Sequence, residues 1–136
     1  MTKKFTLILF GVMLLALILA GCGGDNEEAA SAGDPKRGQA LYEQTIIGSS
    51  AAPGCGTCHS RDAGKVLVGP SHAGIATIAE TAVPGMSAEE FLKESILNPD
   101  AHVTEGFTPG VMYQNYSKDL SEQEINDLVA YLLTLQ

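Results

Sequence analysis

The segment CGTCH, residues 55–59, decides how this chain is read: two cysteines lie three positions apart and a histidine follows the second directly. Several chemistries use such a pair. A structural zinc site takes four ligands, usually as two pairs. Cys55 and Cys58 make one pair, but His72 and His102 stand alone and supply no second. A dithiol redox centre places Cys-x-x-Cys after a strand in an alternating strand–helix chain, and no such alternation surrounds residue 55. A plain disulfide leaves the histidine unexplained, and a loop closed across two residues adds little stability.

The remaining reading is covalent haem, for which Cys-x-x-Cys-His is the attachment pattern. Cys55 and Cys58, one helical turn apart, each suit a thioether to one vinyl group. That arrangement brings His59 beneath the iron as the proximal ligand. The neighbouring sequence favours a large apolar group. Residues 46–86 are rich in glycine and proline, residues 99–120 hold two prolines and two glycines, and neither stretch alternates apolar with polar residues as a strand does. A domain with this much loop is short of core, and haem supplies one.

Three helices are readable. Asp34 followed by Pro35 is an N-cap with proline at the first helical position, and Gly38, Leu41 and Tyr42 share a face of the helix it opens. Ser87 and Glu90 form a capping box with Met86 and Phe91 as staple; Ala88, Phe91, Leu92 and Ile96 line that helix, and Asn98-Pro99 stops it. Ser121 with Glu124, stapled by Leu120 and Ile125, opens the last helix, in which Ile125, Leu128, Val129, Leu132 and Leu133 repeat at helical spacing. The expected fold class is all-α, with three or more helices and their loops wrapped around one covalent haem and no sheet.

The N-terminus has a different character. Lys3 and Lys4 precede FTLILFGVMLLALILA, a nearly unbroken apolar run that ends in LAGC at residues 19–22. A basic start, an apolar middle and small residues at the end mark an export signal. LAGC resembles the lipobox of bacterial lipoproteins, which implies a signal over residues 1–21 and a lipidated Cys22. An uncleaved membrane anchor is the alternative. Either places the rest of the chain on the extracytoplasmic face of a bacterial membrane. Residues 22–33, small and acidic, read as a tether, and residues 34–136 as the folded domain. Three cysteines thus become one lipid site and one pair in a compartment where thiols oxidise.

The whole chain carries 8 basic and 16 acidic residues, a net charge of −8. Without Lys3 and Lys4 the balance is 6 against 16, or −10. This disfavours nucleic acid and suits a partner with a basic docking face.

A sixth iron ligand is sought among His72, His102, Met86 and Met112, since Met1 and Met13 belong to the signal. Met86 is accounted for as a helix staple. His72 reads as a surface or haem-rim histidine, and His102 as a solvated one. Met112 lies in a segment with no helical or strand stripe to claim it, and a thioether ligand favours Fe(II), raising the potential of an electron-transfer haem. Met112 is the expected distal ligand.

Taken together, DPKRGQALYEQ, CGTCH, VGPSHAGIA, SILNPDAHVTEGF, GVMYQNY and LSEQEINDLVAYLLTL, in this order, resemble the class I single-haem cytochromes c over residues 34–136. From Ser95 onward the chain is also similar to c-type domains of haem–copper oxidase subunits and to small cytochrome subunits of bacterial respiratory and photosynthetic complexes. The resemblance implies thioethers at Cys55 and Cys58 and iron ligation by His59 and Met112. It implies that Gly69 and Pro70 form the pair whose proline carbonyl accepts a hydrogen bond from the proximal imidazole. It also implies that Gly38 and Tyr42 sit where the first helix crosses the last, near Tyr131. Tyr113 departs from the proline common after the ligand methionine, and His72 from a usual apolar haem contact. The function implied is single-electron transfer between redox partners of a respiratory or photosynthetic chain, free or as a complex subunit, and not catalysis.

Overall fold

The structure is a computed structural model that describes residues 32–136. The expected signal, the lipid site at Cys22 and most of the tether lie outside the described residues. The architecture is all-α. Helices α1 (Pro35–Glu43), α2 (Ile75–Ala82), α3 (Ala88–Leu97), α4 (Tyr116–Asp119) and α5 (Glu122–Leu132) carry it, with a single 3-10 turn at Cys55–Thr57. Among the described residues, no helix is long and apolar enough to cross a membrane.

The three helices anticipated from capping residues start where those residues sit. The Asp34 carboxylate accepts from the amides of Lys36 and Arg37. Ser87 with Glu90, and Ser121 with Glu124, form reciprocal capping boxes at the starts of α3 and α5. Two helices were not anticipated. α2 opens on Gly74 at φ 72° with no side-chain cap bond, so no polar residue announces it. α4 is a single turn. The expectation of no sheet is corrected by one small element: β1 (Ile46–Ile47) pairs antiparallel with β2 (Ala52–Pro53), Ile46 opposite Pro53 and Ile47 opposite Ala52. Two-residue strands carry no alternation long enough to read.

The core lies where α1 crosses α5. Tyr42 and Leu128 are fully buried, with Leu92 and Ile96 of α3, Tyr116 of α4 and Ile125, Val129, Tyr131 and Leu132 of α5 around them. Gly38 makes the crossing possible. A Cβ there would stand 1.9 Å from the Asp127 carbonyl oxygen and 2.8 Å from the Tyr131 Cβ. The rings of Tyr42 and Tyr131 then meet edge to face, centroids 5.3 Å apart.

Asp127, a buried carboxylate on α5, locks the same crossing. It accepts from the Asp34 amide at 2.7 Å, from Arg37 Nε at 2.7 Å and Nη2 at 2.9 Å, and from Gln123 Nε2 at 2.9 Å. Burial by itself pushes a carboxyl pKa up. Here the hydrogen bonds from Arg37, Asp34 and Gln123 outweigh it and hold Asp127 below its ordinary value. The expected outcome of Gly38→Ala is a loss of about 3 kcal/mol of stability by denaturant unfolding, because the two helix backbones must separate to admit the methyl group.

Candidate functional site

The motif is presented by a tight backbone turn. The amides of Cys58 and His59 both donate to the Cys55 carbonyl, at 3.1 and 2.9 Å. Thr57 Oγ1 caps the Gly54 carbonyl at 2.6 Å. From α1, Tyr42 donates its hydroxyl to the His59 carbonyl at 2.9 Å, tying the motif to the helix crossing. No disulfide joins Cys55 to Cys58. No group of three or more His, Cys, Asp or Glu side chains among the described residues is arranged to hold a metal ion.

The imidazole of His59 is held from the segment that follows. The Gly69 amide donates to the Cys58 carbonyl at 2.9 Å. This brings the Pro70 carbonyl to 2.9 Å from His59 Nδ1. A carbonyl can only accept, so Nδ1 carries the proton and Nε2 keeps the lone pair. Burial lowers the His59 pKa, partly opposed by the bond to Pro70. Gly69 lies directly on this ring. A Cβ there would stand 2.4 Å from Cε1, 2.8 Å from Nδ1 and 3.0 Å from Nε2. The donor set and this cradle fit a haem bound through two thioethers and one imidazole nitrogen.

His72, read as a surface or haem-rim histidine, is half-buried beside the His59 ring. Its ring stacks on His59 with centroids 4.0 Å apart and planes 14° apart, and Tyr42 lies 5.7 Å away on the same assembly. Its Nδ1 is sealed from solvent with no hydrogen-bond partner. The sequence carried no signal for this contact beyond His72 replacing an apolar residue, because the contact depends on how residues 60–71 loop back. The Ser60 carbonyl receives the His72 amide at 2.7 Å, and Ser71 Oγ donates to the Asp62 carbonyl at 2.7 Å.

The other ligand candidates separate clearly. His102 Nε2 is engaged by Glu94 Oε2 at 2.8 Å. Met86 lines a shallow surface depression with Glu90, Lys93 and Glu94. Met112 is half-buried and packs against the central apolar cluster, as Cys55 does. Its carbonyl accepts from Gln114 Nε2 at 2.9 Å. Next to it, Tyr113 donates its hydroxyl to Asp119 Oδ2. That bond raises the phenol's pKa and lowers the carboxylate's.

Burial, and secondarily the neighbouring His59, holds the His72 pKa at about 3. The unfolded chain takes up a proton at this site near pH 6.5 and the native protein does not, so His72 makes stability fall as pH drops through that window. Relative to wild type, His72→Leu is expected to gain about 3 kcal/mol in passing from pH 7 to pH 4. Denaturant unfolding at the two pH values measures it.

No curated protein sequence matches this chain. The cytochrome c family model matches residues 35–136, nearly all of the described chain. Members of that family bind haem c covalently and carry electrons, and the all-α fold agrees with theirs. On this match and on the geometry of residues 55–70, the chain belongs to the cytochrome c family and is a haem c protein of electron transfer.

Proposed function

We propose that the protein is a membrane-tethered carrier of single electrons, with His59 and Met112 as axial ligands and Cys55 and Cys58 as thioether anchors. The carrying observation is the fixed imidazole: the bond from Nδ1 to the Pro70 carbonyl and the close approach of Gly69 present the Nε2 lone pair in one orientation. The haem supplies a one-electron Fe(III)/Fe(II) couple. The protein's part is to hold both ligands in place in either oxidation state, so that little rearrangement accompanies transfer. Pro70 adds electron density to the imidazole through the Nδ1 proton. Met112, with a soft sulfur, favours the reduced state.

Met112 is preferred as the distal ligand because its rivals are occupied. His102 is bound to Glu94, and His72 lies against His59 itself, on the proximal side. A closed His–Met site suits a carrier; an enzyme or gas sensor needs an open or labile sixth position.

The N-terminal signal pattern and Cys22 support a lipid anchor on the extracytoplasmic face of a bacterial membrane. A tether of about a dozen residues raises the local concentration of membrane-bound redox partners. The net acidic chain favours partners with a basic docking face, among the members of a respiratory or photosynthetic chain.

Met112→Ala is expected to keep the covalent haem, lose the methionine-to-iron absorption band and lower the midpoint potential. An unchanged band and potential would remove Met112 from the site. The reduced wild-type protein is expected to resist carbon monoxide at neutral pH, and ready binding would favour an enzyme or a sensor. Expressed in a bacterium that processes lipoproteins, the wild type is expected in the detergent phase of a phase partition and Cys22→Ala in the aqueous phase. Equal partition of both would refute lipidation at Cys22.

A further inference from the structure

The segment that carries Met112 is held in an unusual way. From Thr108 to Gln114, among the described residues, no backbone amide or carbonyl is bonded to another backbone group; the nearest such bonds are the Phe107 amide to Thr104 and the Lys118 amide to Asn115. Val111 is 56% exposed, so apolar burial does not anchor the segment there either. Side chains do that work. On the near side, Asp100 Oδ1 accepts from the Gly110 amide at 2.8 Å and from Gln114 Nε2 at 3.3 Å. On the far side, Tyr113 bonds Asp119 through its hydroxyl and packs edge to face on Tyr116, centroids 5.1 Å apart at 71°.

The far anchor is rigidly founded. Tyr116 is buried and donates to the Pro53 carbonyl at 2.7 Å. Asp119 closes α4, and its carbonyl accepts the Ser49 amide at 3.0 Å. Leu120, the next residue, is in the core. Tyr113 is therefore tied to an element that two other parts of the chain hold still. A proline in its place would limit the backbone by fixing φ. Tyrosine leaves φ free and needs an external tie to achieve the same restriction.

We propose that Tyr113 and Asp119 are positioning residues for Met112, their phenol–carboxylate hydrogen bond holding the ligand segment so that the thioether sulfur stays on the iron. This rests on the reading of Met112 as the sixth ligand. A thioether is a weak neutral donor, and an exogenous ligand displaces it only if the segment swings away. Swinging away breaks the bond to Asp119, so that bond adds to the cost of displacement.

The test uses the holoprotein in its oxidised form and imidazole as the competing ligand, titrated by absorption at fixed pH and ionic strength. Tyr113→Phe keeps the ring against Tyr116 and removes the hydroxyl; Asp119→Ala removes the acceptor. Each is expected to bind imidazole about fivefold more tightly than wild type. The double variant is expected to bind no more tightly than the tighter single variant, because both remove one bond. Unfolding by denaturant is followed in parallel, to separate a tie on the ligand segment from general destabilisation. Wild-type imidazole affinity in both single variants overturns the proposal, as do effects that multiply in the double variant. Should Tyr113→Phe fail to fold, Asp119→Ala decides alone. Met112→Ala serves as the control: if it keeps the methionine-to-iron band, the ligand assignment has failed and the tie falls with it. If Met112→Ala loses the band while the Tyr113 and Asp119 variants behave as wild type, only the tie has failed.

Discussion

The site depends on one hydrogen bond, from His59 Nδ1 to the carbonyl of Pro70. It selects the tautomer, and so decides which nitrogen keeps its lone pair. It also joins two stretches of chain eleven residues apart that share no secondary structure. The bond needs Gly69, because any Cβ there would enter the space of the imidazole ring. The turn at Cys55–His59 gives the histidine a starting direction, and the Gly69–Pro70 segment finishes its orientation. The imidazole is thus held from two sides, by the turn and by the Gly69–Pro70 segment.

The rest of the fold keeps this arrangement still. Tyr42 reaches from α1 to the His59 carbonyl, and α1 is itself clamped to α5 by the close approach at Gly38 and by the buried Asp127. The first and last helices of the described residues therefore meet behind the motif. Asp127 is a buried charge, but a well-served one: two amide or amide-type donors and a bidentate guanidinium meet it. Breaking such a pair on one side leaves the other charge poorly compensated, which makes the crossing specific as well as tight.

The surroundings of His59 and of Met112 are built differently. Around His59 the backbone itself carries the constraints, through the amides of Cys58, His59 and Gly69. Around Met112 the constraints come from side chains, through Asp100, Gln114, Tyr113 and Asp119. A segment tied by side chains opens more readily than one tied by a backbone network, because its bonds are fewer and partly exposed. The difference agrees with the proposed ligation, in which imidazole is the stronger ligand and the thioether the weaker.

The sequence alone determined whatever is written in local patterns. Capping boxes at Ser87 and Ser121 and the Asp34-Pro35 start placed three helices, because a helix end needs its amides satisfied by residues within four positions. The spacing of Cys55, Cys58 and His59 pointed to covalent haem because both thiols and the imidazole must meet one rigid group. Tertiary structure decided what depends on distant segments meeting. α2 opens without a polar cap and takes its shape from packing on α3. His72 reached the face of His59 only because residues 60–71 fold back, and the tie of Tyr113 to Asp119 required α4 to form beside it. A residue's type limits the bonds it can make, but the partner that is near enough is chosen by the path of the whole chain.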